Sequence, residues 1–371
     1  MSRTFAFTRS AGPIFPSLVM ILAATLGICG RASAVPIATP GYSVSTFATA
    51  AAGYSAPDSI AVDNGSVWVG YGNGLNGDGT IGTTTTIGTS TIVQYSTTGA
   101  VLNTYIVSGH NDGLKIDPTT HSVWALQNED SNSNLVVINP TTHLQAQYNV
   151  GTGPHGGGYD DIVFLNGNVY FSASAPNFTG PINTLPVIVS AALNTTTHTV
   201  ATTTILNSSA SLNLTDPDSM IADPHGRLLL DGQSDSKLIL LSNPGALNQV
   251  AMALSLSSPG ISGVNVDDTL FTPTGATGCL LVTDRGANAV YCVHGALPGG
   301  AYSADPNGGQ DFLASLNPDT GVLTPVVTNI AARSLAFLAV PEPGSWGLLS
   351  LGFVALISMT GVARRRRTAE C

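Results

Sequence analysis

The chain has 371 residues, only 9% of them charged, and a formal net charge of −10. Between Val35 and Val340 five Lys and Arg stand against twenty Asp and Glu, so this body carries −15 and the two flanking ends are basic. So few cations exclude nucleic-acid binding, which needs clustered Lys and Arg to displace counterions; the same acidity suits a secreted protein and attracts divalent cations.

The first element is a signal peptide over residues 1–34. Arg3 and Arg9 supply a positive start, Ile14 to Cys29 an apolar stretch, and Ala32-Ser33-Ala34 the small-x-small pattern after which signal peptidase cuts. Leu26-Gly27-Ile28-Cys29 offers a lipid-attachment box as the alternative, but Ile28 is bulky where a small residue is needed. Export agrees with the cysteines. Cys29 and Cys371 lie in the two ends, which leaves Cys279 and Cys292 in the body. An oxidising compartment favours pairing them. They flank Asp284-Arg285-Gly286-Ala287, so a hairpin centred near Arg285-Gly286 brings them opposite each other; two buried free thiols are the alternative.

Tyr42 to Phe47 reads as an isolated strand. After it one phrase recurs, an Asp, a small residue and an apolar alternation, as Asp58–Asp63, Asp112–Asp117, Asp160–Leu165 and Asp218–Asp223. Ser262–Asp267 is a weaker copy, and Arg333–Leu338 opens a last one. Turn formers such as Asn64-Gly65, Asp117-Pro118 and Asn166-Gly167 follow, because Gly and Asn accept positive φ and Pro presets it. Second runs come next: Val67-Trp68-Val69, Val123-Trp124-Ala125, Val169-Tyr170-Phe171, Leu228-Leu229-Leu230 and Leu280-Leu281-Val282. Third runs include Ile92–Tyr95, Leu135–Ile138 and, in the fifth unit, Val290-Tyr291-Cys292.

Four short strands in each unit of about 45 to 55 residues is the spacing of propeller blades. No long stretch of the body carries a helical period. The sequence therefore predicts an all-β protein with a β-propeller over residues 35–339. Six blades are expected, with five or seven as alternatives, and Tyr42–Phe47 is placed to complete the last blade. Thr80 to Thr91 reads as a surface loop, and Gly295 to Asp311 as an insertion or an interruption between blades.

The end of the chain has its own pattern, over residues 340–367. Val340-Pro341-Glu342-Pro343 precedes Trp346, an apolar span over 347–363, and the cluster Arg364, Arg365, Arg366 and Arg367. Seventeen residues of helix reach about 25 Å, just short of a typical hydrocarbon core. The arginines stay cytoplasmic under the positive-inside rule, with the body outside. This segment resembles the PEP-CTERM sorting domain of Gram-negative bacteria. The resemblance implies processing by an exosortase after transient anchoring in the inner membrane, release to the cell surface or beyond, and an association with biofilm and exopolysaccharide. A plain tail anchor is the alternative. The repeats of the body resemble those of NHL and streptogramin-lyase-like propellers in pattern, without a diagnostic motif.

Superimposing the repeats puts Asp58, Asp112, Asp160 and Asp218 at one position ahead of each inner strand, with Ser262 and Arg333 in the last two. Four carboxylates converging on a channel mouth repel one another unless a cation such as Ca²⁺, or Arg333, neutralises them. They are the candidate metal ligands; capping of each local turn is the other reading. His110 and His155 precede two of the phrases, and His225 lies in a turn, but their spacing matches no zinc motif. No catalytic residue is assigned. Gluconolactonase-type propellers use a Glu as metal ligand, and the body's only Glu is Glu129, on the loop after Trp124. Trp68 and Trp124 hold equivalent positions and are expected to pack between blades. Three readings follow: a binding module for polysaccharide or a surface protein, a metal-dependent lyase or lactonase, and a self-associating envelope component.

Overall fold

The computed structural model describes residues 35–175, 178–261, 263–306 and 311–340; the expected signal peptide, the Pro341–Pro343 triplet, the apolar span and the arginine cluster lie outside them. The described chain is built of strands, with one 3₁₀ turn at Gln233–Asp235. Among these residues no helix is long and apolar enough to cross a membrane.

Two strands open the chain, β1 (Ile37–Ala38) and β2 (Ser43–Thr49). The first blade follows as β3 (Pro57–Asp63), β4 (Ser66–Tyr71), β5 (Thr89–Ser96) and β6 (Val101–Ser108). The second is β7 (Asn111–Ile116), β8 (Val123–Gln127), β9 (Ser133–Ile138) and β10 (Gln145–Gly151). The third is β11 (Tyr159–Leu165), β12 (Asn168–Ala173), β13 (Pro186–Asn194) and β14 (Thr199–Asn207). One parallel bridge, Asn149 to Thr199, joins the outer edges of blades two and three. The fourth is β15 (Pro217–Ala222), β16 (Leu228–Gly232), β17 (Lys237–Ser242) and β18 (Val250–Ser255).

The remaining strands are β19 (Asp268–Phe271), β20 (Gly278–Asp284), β21 (Ala289–His294), β22 (Ala301–Asp305), β23 (Phe312–Asn317), β24 (Val322–Thr328) and β25 (Ala332–Ala339). They make two blades that are interleaved in sequence. Blade five is ordered β19-β22-β23-β24, with β1 on its outer edge, and blade six is β25-β20-β21-β2. The structure is thus a six-bladed β-propeller closed by both ends of the chain, with β2 on the outer edge of the blade whose inner strand is β25.

This corrects the reading of the fifth unit. Leu280–Val282 and Val290–Cys292 belong to blade six, because β20 pairs with β25 through Cys279–Leu338, Leu280–Phe337 and Leu281–Ala336. The second strand of blade five is β22, inside the stretch that lacked periodicity. All five of its residues are buried. A strand covered on both faces shows no alternation, so Ala301-Tyr302-Ser303-Ala304-Asp305 carries little signal.

The core lies between blades. Trp68 packs on Tyr105 with centroids 5.7 Å apart, in a cluster with Leu114, Val123 and Val136 of blade two. Trp124 meets Phe164 of blade three edge-on at 5.1 Å. Both tryptophans are therefore spent on blade packing. In blade six Cys279 and Cys292 form a disulfide with Cα atoms 5.6 Å apart. Cys292 pairs with Leu281 in the ladder, so the cysteines are diagonal neighbours, the turn being centred one residue later than expected. Replacing both cysteines with alanine is expected to cost about 2–4 kcal/mol, since the crosslink restricts the unfolded chain. Urea unfolding under oxidising conditions should show the lower midpoint.

Candidate functional site: the acidic mouth of the channel

The six inner strands start at the same end of the channel, and the loops joining second to third strands return to that end. The ladder of each of the first four inner strands is irregular there: between Pro57 and Ile60, Asn111 and Leu114, Tyr159 and Ile162, and Pro217 and Met220. Each irregularity spans one recurrent Asp and the residue after it. A bulge of this kind breaks the alternation and re-aims side chains. Gly113 is required at this point of blade two, because a Cβ there would collide with the carbonyl of Asp160 in blade three.

Asp58, Asp112, Asp218 and Asp267 line a small polar cavity of about 20 Å³, together with Lys115, Asp161 and Ser334. That is room for a water molecule or one ion. Two of these, Asp112 and Asp218, and Asp160, which does not itself line the cavity, offer carboxylate oxygens that all lie within 4.8 Å of one another. Asp160 is 5% exposed, and its Oδ2 is sealed from solvent without a hydrogen-bond donor. Burial pushes all three carboxyls well above the usual range, and the negative neighbours add to it, Glu129 and Asp58 acting on Asp112 and Asp267 and Asp160 acting on Asp218.

Asp58 stands apart from this trio. Arg285 Nη1 lies 3.3 Å from its Oδ2, and His110 Nε2 is 4.0 Å away. In blade five the ring position is held by Asp267, immediately before β19, and not by Ser262, which lies outside the described residues. The phrase was displaced by five residues, because Val264 and Val266 are buried in the core between blades and imitate the strand's alternation. Arg333 Nη1 binds Asp267 Oδ1 at 2.7 Å. Arg285 and Arg333 are thus taken by Asp58 and Asp267, and among the described residues none of Asp112, Asp160 and Asp218 has a salt bridge.

Glu129 comes to the mouth on the loop between β8 and β9. His110, 2% exposed, donates from Nδ1 to Glu129 Oε2 at 2.9 Å, and a ligand atom of each lies within 4.8 Å of one on Asp112. Burial alone would lower His110, but the Glu129 carboxylate outweighs it and the imidazole titrates above its ordinary value. Gly72 faces this ring so closely that a Cβ would lie 2.6 Å from Nε2. The other two histidines are elsewhere. His155 donates from Nε2 to the Pro186 carbonyl at 2.8 Å, and His225 is exposed on the turn between β15 and β16, at the far end of the channel. Glu129 and Arg285 are the residues at the mouth that the repeats did not reveal. Their one signal was rarity: the body has a single Glu and three Arg.

In blades three and five the residue after the ring position locks neighbouring blades. Asp161 Oδ2 accepts the Met220 N–H at 2.9 Å and sits 2.8 Å from Lys115 Nζ. Asp268 Oδ2 accepts the Leu335 N–H at 2.7 Å and the Ser334 hydroxyl at 2.8 Å. These geometries define a six-bladed propeller with an anionic mouth able to hold one hard cation.

No protein-family model matches the chain, and no curated protein matches it. Solved structures similar to it include a protein of unknown function from Bacteroides caccae, at 11% identity over 79% of this chain and 89% of that one, with a TM-score of 0.48. The periplasmic gluconolactonase of Pseudomonas aeruginosa is similar at 9% identity over 77% and 89%, TM-score 0.49. Virginiamycin B lyase of Staphylococcus aureus is similar at 9% identity over 81% and 75%, TM-score 0.41.

Burial raises Asp267 to about 7 despite Arg333, and Asp268 to about 6. A carboxyl whose native pKa is raised stabilises the fold below its unfolded value and loses that contribution as pH rises through the native one. The metal-free protein should therefore melt at a lower temperature at about pH 8 than at about pH 5. Calorimetric melting across this range checks the sign.

Proposed function

We propose that the chain is an exported propeller of the cell surface or extracellular matrix, whose acidic mouth binds one divalent cation and uses it to hold a polysaccharide or a surface protein. The observation that carries this reading is the sealed, donorless Oδ2 of Asp160 beside the carboxylates of Asp112 and Asp218. A proton or the O–H of a lone water would satisfy that oxygen singly, but one cation would satisfy it together with the neighbouring carboxylates. Carboxylate oxygens are hard ligands, and Ca²⁺ fits them best because it accepts irregular geometry and completes its shell with water or ligand oxygens. Asp112, Asp160 and Asp218 would hold the ion, with Asp58 an outer neighbour. The cavity is too small for a sugar ring, so a ligand would reach the ion from the rim.

Export is supported by residues 1–34, and a sorting role for residues 340–367 by Pro341, Glu342, Pro343 and the four arginines. On this reading signal peptidase and an exosortase process the chain, and a role in biofilm or exopolysaccharide follows from its destination. A second reading, a metal-dependent lyase or lactonase at the same mouth, is favoured by the His110–Glu129 pair. A buried imidazole next to a cation could move a proton.

Titration calorimetry should find one Ca²⁺ per chain, with affinity at least about tenfold weaker in Asp112→Asn and Asp160→Asn, each of which removes one charge from the ion. No heat with the native chain would sink the cation site. Once Ca²⁺ binding is established, a glycan array tests the binding module. Turnover of a lactone that is lost in His110→Asn while Ca²⁺ binding persists would instead favour the enzyme. Deleting Pro341–Pro343 should leave the chain in the inner-membrane fraction; unchanged release would remove the exosortase.

A further inference from the structure

The channel has opposite chemistry at its two ends. Four residues after each ring position the inner strand presents Val62, Ile116, Phe164, Ala222, Phe271 and Phe337, one per blade and all half-buried. They line an open recess of about 530 Å³ at the end away from the acidic mouth. This lies in the size range of small-molecule sites, which are apolar with a few convergent polar groups.

Among its lining residues only Lys115 and Asp268 are charged. Lys115 is occupied by Asp161 at 2.8 Å. Asp268 receives both of its hydrogen bonds on Oδ2, from Leu335 N and Ser334 Oγ, which leaves Oδ1 for a ligand. The inner end of the recess has an excess of negative charge, because Asp161 and Asp268 both act on the single Lys115, while burial raises the nearby Asp231 carboxyl well above the usual range. An anionic head would meet repulsion there, whereas an ammonium would add a second positive charge beside the Lys115 that Asp161 and Asp268 share.

We propose that this recess binds a small amphiphile with a cationic amine head, its hydrocarbon or aromatic part against the apolar ring and its ammonium at Asp268. The recess adjoins the cavity of the acidic mouth at Lys115, which lines both, but it draws on different carboxylates. Neither Asp112 nor Asp160 lines it, and it stands whether or not the mouth binds a cation.

Octylamine and octanoate, titrated into the full chain near pH 8 in excess Ca²⁺, provide the test. The expected result is one octylammonium site, with octanoate at least tenfold weaker. Phe271→Arg and, independently, Phe337→Arg should abolish binding while circular dichroism shows an unchanged fold. Asp268→Asn should bind octylamine and octanol alike. Equal affinity for octanoate and octylamine overturns the proposal. So does octylamine binding that survives both arginine variants, or that appears only after residues 341–371 are removed, which would make the chain's own end the occupant.

Discussion

Repulsion among carboxylates around one axis is the constraint on which this structure depends. Each blade contributes the start of its inner strand to the same end of the channel, so one recurrent Asp becomes several at close range. Like charges a few ångströms apart in a poorly hydrated site cost several kcal/mol unless protons or cations intervene. The chain answers with three devices. Arg333 replaces the Asp in the sixth position and binds Asp267. Arg285 reaches in from the turn of blade six to Asp58. The remaining three carboxyls are left with raised proton affinity, which is the state that a divalent cation would relieve.

The same inner strands also hold the ring together. Carboxylates one residue further on accept backbone N–H groups of other inner strands, Asp161 from Met220 and Asp268 from Leu335. Thr283 donates to the carbonyl of Asp58 and accepts from Ser334 N, tying blade six to blade one. The bonds accepted by Asp161 and Asp268 are charge-assisted when those carboxyls are ionised, stronger than the neutral Thr283 bonds, and fix geometry. Closure adds a topological lock. The hairpin β20–β21 leaves blade five after its inner strand and supplies the middle strands of blade six, and the chain then finishes blade five before β25 closes blade six. The two blades are thus interleaved in the chain, and β2 from its other end seals the outer edge of blade six.

Much of the architecture was legible because a strand exposed on one face and bounded by turns writes a period of two into the sequence. The phrases at Asp58, Asp112, Asp160 and Asp218 each open an inner strand, and Trp68 and Trp124 announced the packing between blades. The fifth phrase failed for a physical reason. Val264 and Val266 alternate like a strand because they fill the core between blades, while the real inner strand has only four residues. Blade membership of β20 and β22 was not legible at all, since periodicity shows that a run is a strand and not which ladder it joins.

The sequence by itself determined the repeat, the strand content, the acidity and one Asp per early blade, because these follow from local pattern and composition. Tertiary structure alone decided which carboxylates meet. It gave Asp58 to Arg285, brought in Asp267, set Glu129 against His110, and placed six apolar side chains at the opposite mouth. These pairings join residues as far apart as Asp58 and Arg285. They depend on ring closure and on small register irregularities in the ladders, and neither leaves a mark on the local pattern.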